Sequence, residues 1–183
     1  PWQHDDPNRR MTAEESPWGE ESKGASDRRS ALHLLDPEQA PNVLESSLAN
    51  ILKAQLSSGA FTWYPGGPPS PFITLEVLRG LAEATEFGVA VPQDAVVNGW
   101  DYLAKYLREI VDRKQAVAFL TYLNFIASSF PDNTWLGKAL SPEDRASLLT
   151  LSFENKKALS PRLKLMLALT LARAKRSADA DGV

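Results

Sequence analysis

Apolar residues recur at helical spacing along most of this chain. From Pro41 to Leu56 the positions Val43, Leu44, Leu48, Ile51, Leu52 and Leu56 fall three or four apart, which predicts an amphipathic helix with Pro41 in its first turn. Ser70-Pro71 then offers a capping hydroxyl and a pre-set first turn for a helix running to Phe87. Gly88 is placed to end it in the left-handed conformation. A third helix is expected over Asp94 to Arg113. It carries Val96, Trp100, Leu103, Leu107, Ile110 and Val111 on one stripe, and Asp101, Lys105, Arg108, Glu109 and Asp112 opposite.

The stretch from Ala116 to Phe130, AVAFLTYLNFIASSF, is apolar nearly all round, which places it inside the fold. Two more helices open on the same device, at Ser141-Pro142-Glu143-Asp144 and Ser160-Pro161. The last, LKLMLALTLARAK, alternates leucine with other residues as a strand would. Its Leu, Lys, Met and Ala are strong helix formers and β-branched residues are nearly missing, so a helix is expected.

Some six helices, short connections and no convincing strand predict an all-α fold. One-face helices beside an all-round apolar one suggest two layers, such as an inner and outer ring of helical hairpins; a bundle or a solenoid would give a similar pattern. Residues 1–30 are rich in Pro, Gly, Ser and mixed charge, with Trp2 and Trp18 as apolar anchors, and predict an extended or partly disordered lead-in. The helical segment is expected over residues 31–183. Since the chain opens on Pro1 and closes on ADADGV, it reads as a piece of something longer.

The chain has 183 residues, enough for one sizeable core, and a net charge of −3 that favours neither nucleic acid nor an anionic membrane as partner. It has no cysteine, and therefore no disulfide, thiolate metal site or cysteine nucleophile. No apolar run reaches the ~18 residues of a membrane span, so direct membrane insertion is not expected. His4 and His33 are the only histidines, far apart in sequence, which argues against a histidine-based metal or general-base site. The pair Glu143-Asp144 suits the positive end of a helix better than acid/base chemistry, and Asp179 with Asp181 is thin support for a metal. No catalytic, cofactor-binding or metal-ligating residue is assigned, and no cofactor is expected.

The segment between the first two helices is the most distinctive. Gln55, Gly59, Phe61, Trp63, Tyr64, Gly66 and Gly67 form a structural or interaction loop. Pro68 and Pro69 lack the N–H groups that a phosphate cradle needs and stiffen the chain instead, while Gly66-Gly67 permits a tight bend close to an aromatic ring. Phe61, Trp63 and Tyr64 supply large apolar bodies, two with polar tips. Such a loop either cements neighbouring helices or presents a recognition surface; cement is the favoured expectation, with Trp63 buried.

LSSGAFTWYPGGPPSPFITLEVLRGLAEATEFGVAVPQD resembles the thioester-bearing helical domain of bacterial alpha-2-macroglobulins. The resemblance rests on Gln55 at a helix end, the Gly-aromatic-x-Trp-aromatic run Gly59 to Tyr64, Gly66-Gly67, Phe72-Ile73-Thr74 and Gly88-Val89. Upstream, ESPW (Glu15 to Trp18) and RRSALHLLD look like the same family's preceding segment. It covers residues 14–130 well and the rest by helical pattern. It implies part of an α/α toroid built from helical hairpins, within a large extracytoplasmic protein, periplasmic or on the cell surface, that traps attacking proteases. The implied partners are other domains of the same parent chain and target proteases.

Thioester-forming members join a cysteine to a glutamine in Cys-x-Glu-Gln. This chain cannot make that bond, and Asp36-Pro37-Glu38-Gln39 mimics the spacing by coincidence. The motif is expected upstream of Pro1 or is missing from the parent. Terpene cyclases and other α/α-toroid enzymes are the rival, although their catalytic aspartate cluster is missing here. A non-enzymatic interaction module using the Trp63-Tyr64 corner is the third reading.

Overall fold

The computed structural model describes residues 40–110, 116–138 and 140–183. The expectations for His4, His33, Trp2, Trp18, Asp36 to Gln39 and the lead-in lie outside the described residues. The chain divides into two units, Pro1–Ile51 and Leu52–Val183. Most of helix α1 (Ala40–Lys53) belongs to the first, and none of its residues is buried. Leu44 and Ile51, on its predicted stripe, are exposed.

The second unit holds α2 (Pro71–Glu86), α3 (Gln93–Glu109), α4 (Val117–Ala127), α5 (Pro142–Glu154), α6 (Pro161–Arg173) and the short α7 (Ser177–Asp181). Single 3₁₀ turns occur at Asn133–Leu136 and Lys156–Ala158. The described residues are all-α; their one β-type pairing is an isolated antiparallel bridge between Phe61 and Ser70.

Helix starts follow local chemistry. The hydroxyls of Ser70, Ser141 and Ser160 accept from the backbone N–H groups of Ile73, Asp144 and Leu163, each with a proline just inside the helix. Gly88 has φ +80° and its N–H donates to the Thr85 carbonyl, while that of Val89 donates to Ala84, so α2 ends in a left-handed cap.

Several helices end earlier than their apolar periodicity suggests. α1 stops at Lys53 rather than Leu56 because the Gln55 N–H turns back to the Leu52 carbonyl. At Ile110 the backbone is extended, so α3 ends at Glu109 and not Arg113. α4 ends at Ala127 in a tight turn, with the Ser129 N–H on the Ile126 carbonyl.

Packing places α4 centrally. It touches α2, α5 and α6, and eight of its residues are buried: Val117, Leu120, Thr121, Tyr122, Leu123, Asn124, Ile126 and Ala127. α2 also packs on α3, and α6 on α5 and α7. α3 buries Val96, Trp100, Leu103 and Leu107 on the predicted stripe, together with Gly99 and Ala104. Trp100 is fully buried and meets the Phe130 ring edge-on at 6.0 Å. A further cluster of Val117, Leu149, Leu159, Leu167 and Leu171 closes the α4, α5 and α6 side.

Candidate functional site: a stapled corner with an aromatic ledge

The loop from Gln55 to Ser70 has a buried half and an exposed half. In the buried half, the Gln55 side-chain amide donates to the carbonyls of Gly59 (3.0 Å) and Ala95 (2.8 Å), tying the corner to the first turn of α3. Gly59 has φ +86° and lies directly against the Asn98 backbone. Phe61 is 2% exposed; its N–H donates to Thr74 Oγ1 (2.9 Å), and its carbonyl accepts from the Ser70 N–H (2.9 Å). The Thr74 hydroxyl in turn donates to the Ser70 carbonyl (2.8 Å). Backbone polar groups that burial would otherwise orphan are therefore paired by side chains of α2 and of the loop itself.

In the exposed half, Tyr64-Pro65-Gly66-Gly67 makes a reverse turn, closed by the Gly67 N–H on the Tyr64 carbonyl (2.9 Å). Proline at its second position and Gly66 at φ +77° suit a type II geometry. The Tyr64 ring lies so near Gly67 that a Cβ there would meet it at 3.1 Å, which is the close approach anticipated for the Gly-Gly pair.

The expectation that Trp63 is buried is overturned. Trp63 is 67% exposed and Tyr64 62%, and Trp63 stacks on the half-exposed Phe72 with ring centroids 6.1 Å apart. The reason is geometric. The bridge to Ser70 and the bond to Thr74 hold Phe61 against the core, whereas extended alternation, which would put Trp63 on the same side, ends beyond that single bridge, and the chain turning at Tyr64 to Gly67 carries Trp63 outward. Cementing falls to Gln55, Gly59 and Phe61, while Trp63 and Tyr64 form a ledge.

Phe72 continues that ledge into a groove of about 430 Å³ whose walls include Phe119, Tyr122, Leu163 and Met166. Its polar groups are few. The Tyr122 hydroxyl donates to Glu76 Oε1 at 2.8 Å, and Glu76 Oε2 accepts from Arg79 Nε at 3.1 Å. Burial, then the bond to Glu76, pushes the Tyr122 phenol up to about 12. Because its folded pKa lies above its unfolded value, Tyr122 favours folding below pH ~10 and loses that contribution as pH climbs from there through about 12. In a spectrophotometric titration of the chain, Tyr122 is expected to ionise at about 12. Tyr122→Phe should remove the ionisation step at about 12; retention of that step would assign it elsewhere.

Thr74, Phe72, Ala95 and Asn98 complete the corner without having been singled out as site residues. Thr74 carried a signal, as a polar residue on the buried face of α2 that needs a partner. Ala95 and Asn98 carried none, since they act through their backbone. No cluster of three or more His, Asp or Glu side chains suited to a metal occurs among the described residues; Asp179 pairs with Arg176 instead. The chain matches no protein-family model, no curated protein and no solved structure.

Proposed function

We propose that this chain is a non-catalytic helical segment of a bacterial alpha-2-macroglobulin-like protease trap, part of an α/α toroid in an extracytoplasmic parent. The observation that carries the reading is the corner. Gln55, Gly59, Phe61 and Thr74, all within the motif that resembles that family, make one connected network joining the loop to α2 and α3. The packing of α2 on α4 and of α4 on α6 supports the toroid, whose alternate helices line the same ring.

The test is incubation of the full-length parent with several unrelated proteases. A trap blocks digestion of large substrates and spares small ones; unimpeded digestion of both, or turnover of an isoprenoid, would sink the proposal. Intact mass with and without methylamine then separates a covalent trap, which gains the amine, from one that works by steric capture.

The exposed stack of Trp63 on Phe72 favours a second reading that is compatible with the first, a protein-contact module. Large rings held rigidly at the surface are typical binding anchors, and here the partner is another domain of the same parent. Trp63→Ser is expected to change the melting temperature of the chain by no more than ~2 °C, as a surface substitution, while loosening the parent, read as faster limited proteolysis between domains. A melting temperature lowered by ~10 °C would make the ring structural.

A further inference from the structure

A second depression lies away from the aromatic ledge, where the C-terminal half of α4, the segment 128–133, the start of α5 and the end of α6 meet. Its volume is about 380 Å³, within the range of small-molecule sites. Three guanidinium groups line it, those of Arg145, Arg173 and Arg176, with Asp132 as the one lining carboxylate. The chain as a whole carries a net charge of −3, so this lining departs locally from the overall balance.

The arginines differ in what neutralises them. Arg176 is paired with Asp179 at 2.7 Å. Arg145 and Arg173 have no carboxylate at ion-pair distance among the described residues. Instead, Arg145 Nη2 donates to the neutral Asn133 Oδ1 (2.5 Å), and Arg173 Nη1 to the hydroxyls of Ser128 (3.0 Å) and Ser129 (2.9 Å). Asp132 forms no ion pair with either arginine; its Oδ1 accepts from the N–H and the hydroxyl of Thr134.

Donors are also left over. Asn124, 4% exposed on α4, lines the depression with a side-chain N–H that has no acceptor, and Arg145 Nε likewise has none. Buried donors without acceptors are rare, since each forfeits its solvation without recompense. Burial also lowers the Arg145 pKa, as expected for a partly desolvated cation lacking a counter-charge.

We propose that this cleft binds a small organic carboxylate, its anionic head between Arg145 and Arg173 and its apolar body against Phe130 and Leu149. A carboxylate is acceptor-only and matches the planar fork of a guanidinium, so it supplies what Arg145, Arg173 and Asn124 lack. An inorganic anion would meet the same donors but leave the apolar wall of Phe130, Pro131 and Leu149 wet. The cleft does not depend on the trap reading, because none of its residues belongs to the corner.

The test is calorimetric titration of the chain with phenylacetate, its neutral isostere phenylacetamide and inorganic phosphate. Saturable binding of phenylacetate is expected, with the amide and phosphate each at least tenfold weaker. Arg145→Met and Arg173→Met should each weaken phenylacetate tenfold or more. Arg173 is exposed, so its variant keeps the test available if Arg145→Met does not fold. Equal binding of the amide would make the cleft a purely apolar pocket. Equal binding of phosphate would mean an unselective anion hole. Either result, no saturable binding, or indifference to both substitutions would overturn the proposal.

Discussion

Gly59→Ala is expected to destabilise the chain by about 2 to 5 kcal/mol, lowering its melting temperature by roughly 5 to 15 °C. Two costs combine at this position. With φ at +86°, an L side chain would sit in the left-handed region, at ~1 to 2 kcal/mol. A Cβ would also lie 2.1 Å from the Asn98 carbonyl oxygen and 2.6 Å from its carbon, both backbone atoms of α3 that no rotamer change can move. Either the loop retreats from α3, breaking the Gln55 bond to Ala95, or α3 shifts. Gly66→Ala isolates the first cost, because φ there is +77° and nothing stands within 4 Å. Thermal denaturation of the two variants side by side checks the argument; equal losses would show that the approach to Asn98 does not matter.

Phe61→Ala is the second large effect, at about 3 to 5 kcal/mol. Its ring is 2% exposed, and the residue is held at both backbone atoms, by Thr74 and by Ser70. The surrounding walls therefore cannot follow the lost side chain, and a cavity remains. Chemical denaturation should show a lower midpoint with an unchanged slope, since the same surface is exposed on unfolding. A loss below ~1 kcal/mol would mean that the corner collapses around the alanine and that Phe61 does not anchor it.

The contrast between Phe61 and Trp63 marks where legibility stops. Both are aromatic, both sit in one short loop, and the larger was the better candidate for burial. Nothing local separates them. The bridge between Phe61 and Ser70 and the turn at Tyr64 to Gly67 decide which ring enters, and that pairing forms only when α2 is in place to present Ser70 and Thr74. The cleft arginines were equally hidden. Arg145 and Arg173 stand on different helices and look like ordinary solvated charges until α4, α5 and α6 pack together.

The sequence by itself determined what depends on neighbours along the chain. Helix starts at Ser70, Ser141 and Ser160, the stop at Gly88, the helical state of the leucine-rich last segment and the inward placement of α4 all follow from caps, propensity and periodicity acting within a few residues. Tertiary structure alone decided which aromatic is buried, which carbonyl receives Gln55, how close Gly59 comes to α3, and which arginines lack a counter-charge. Those outcomes depend on contacts between residues from nine to forty positions apart, and a side chain's chemistry names the partner it needs without saying which other segment will supply it.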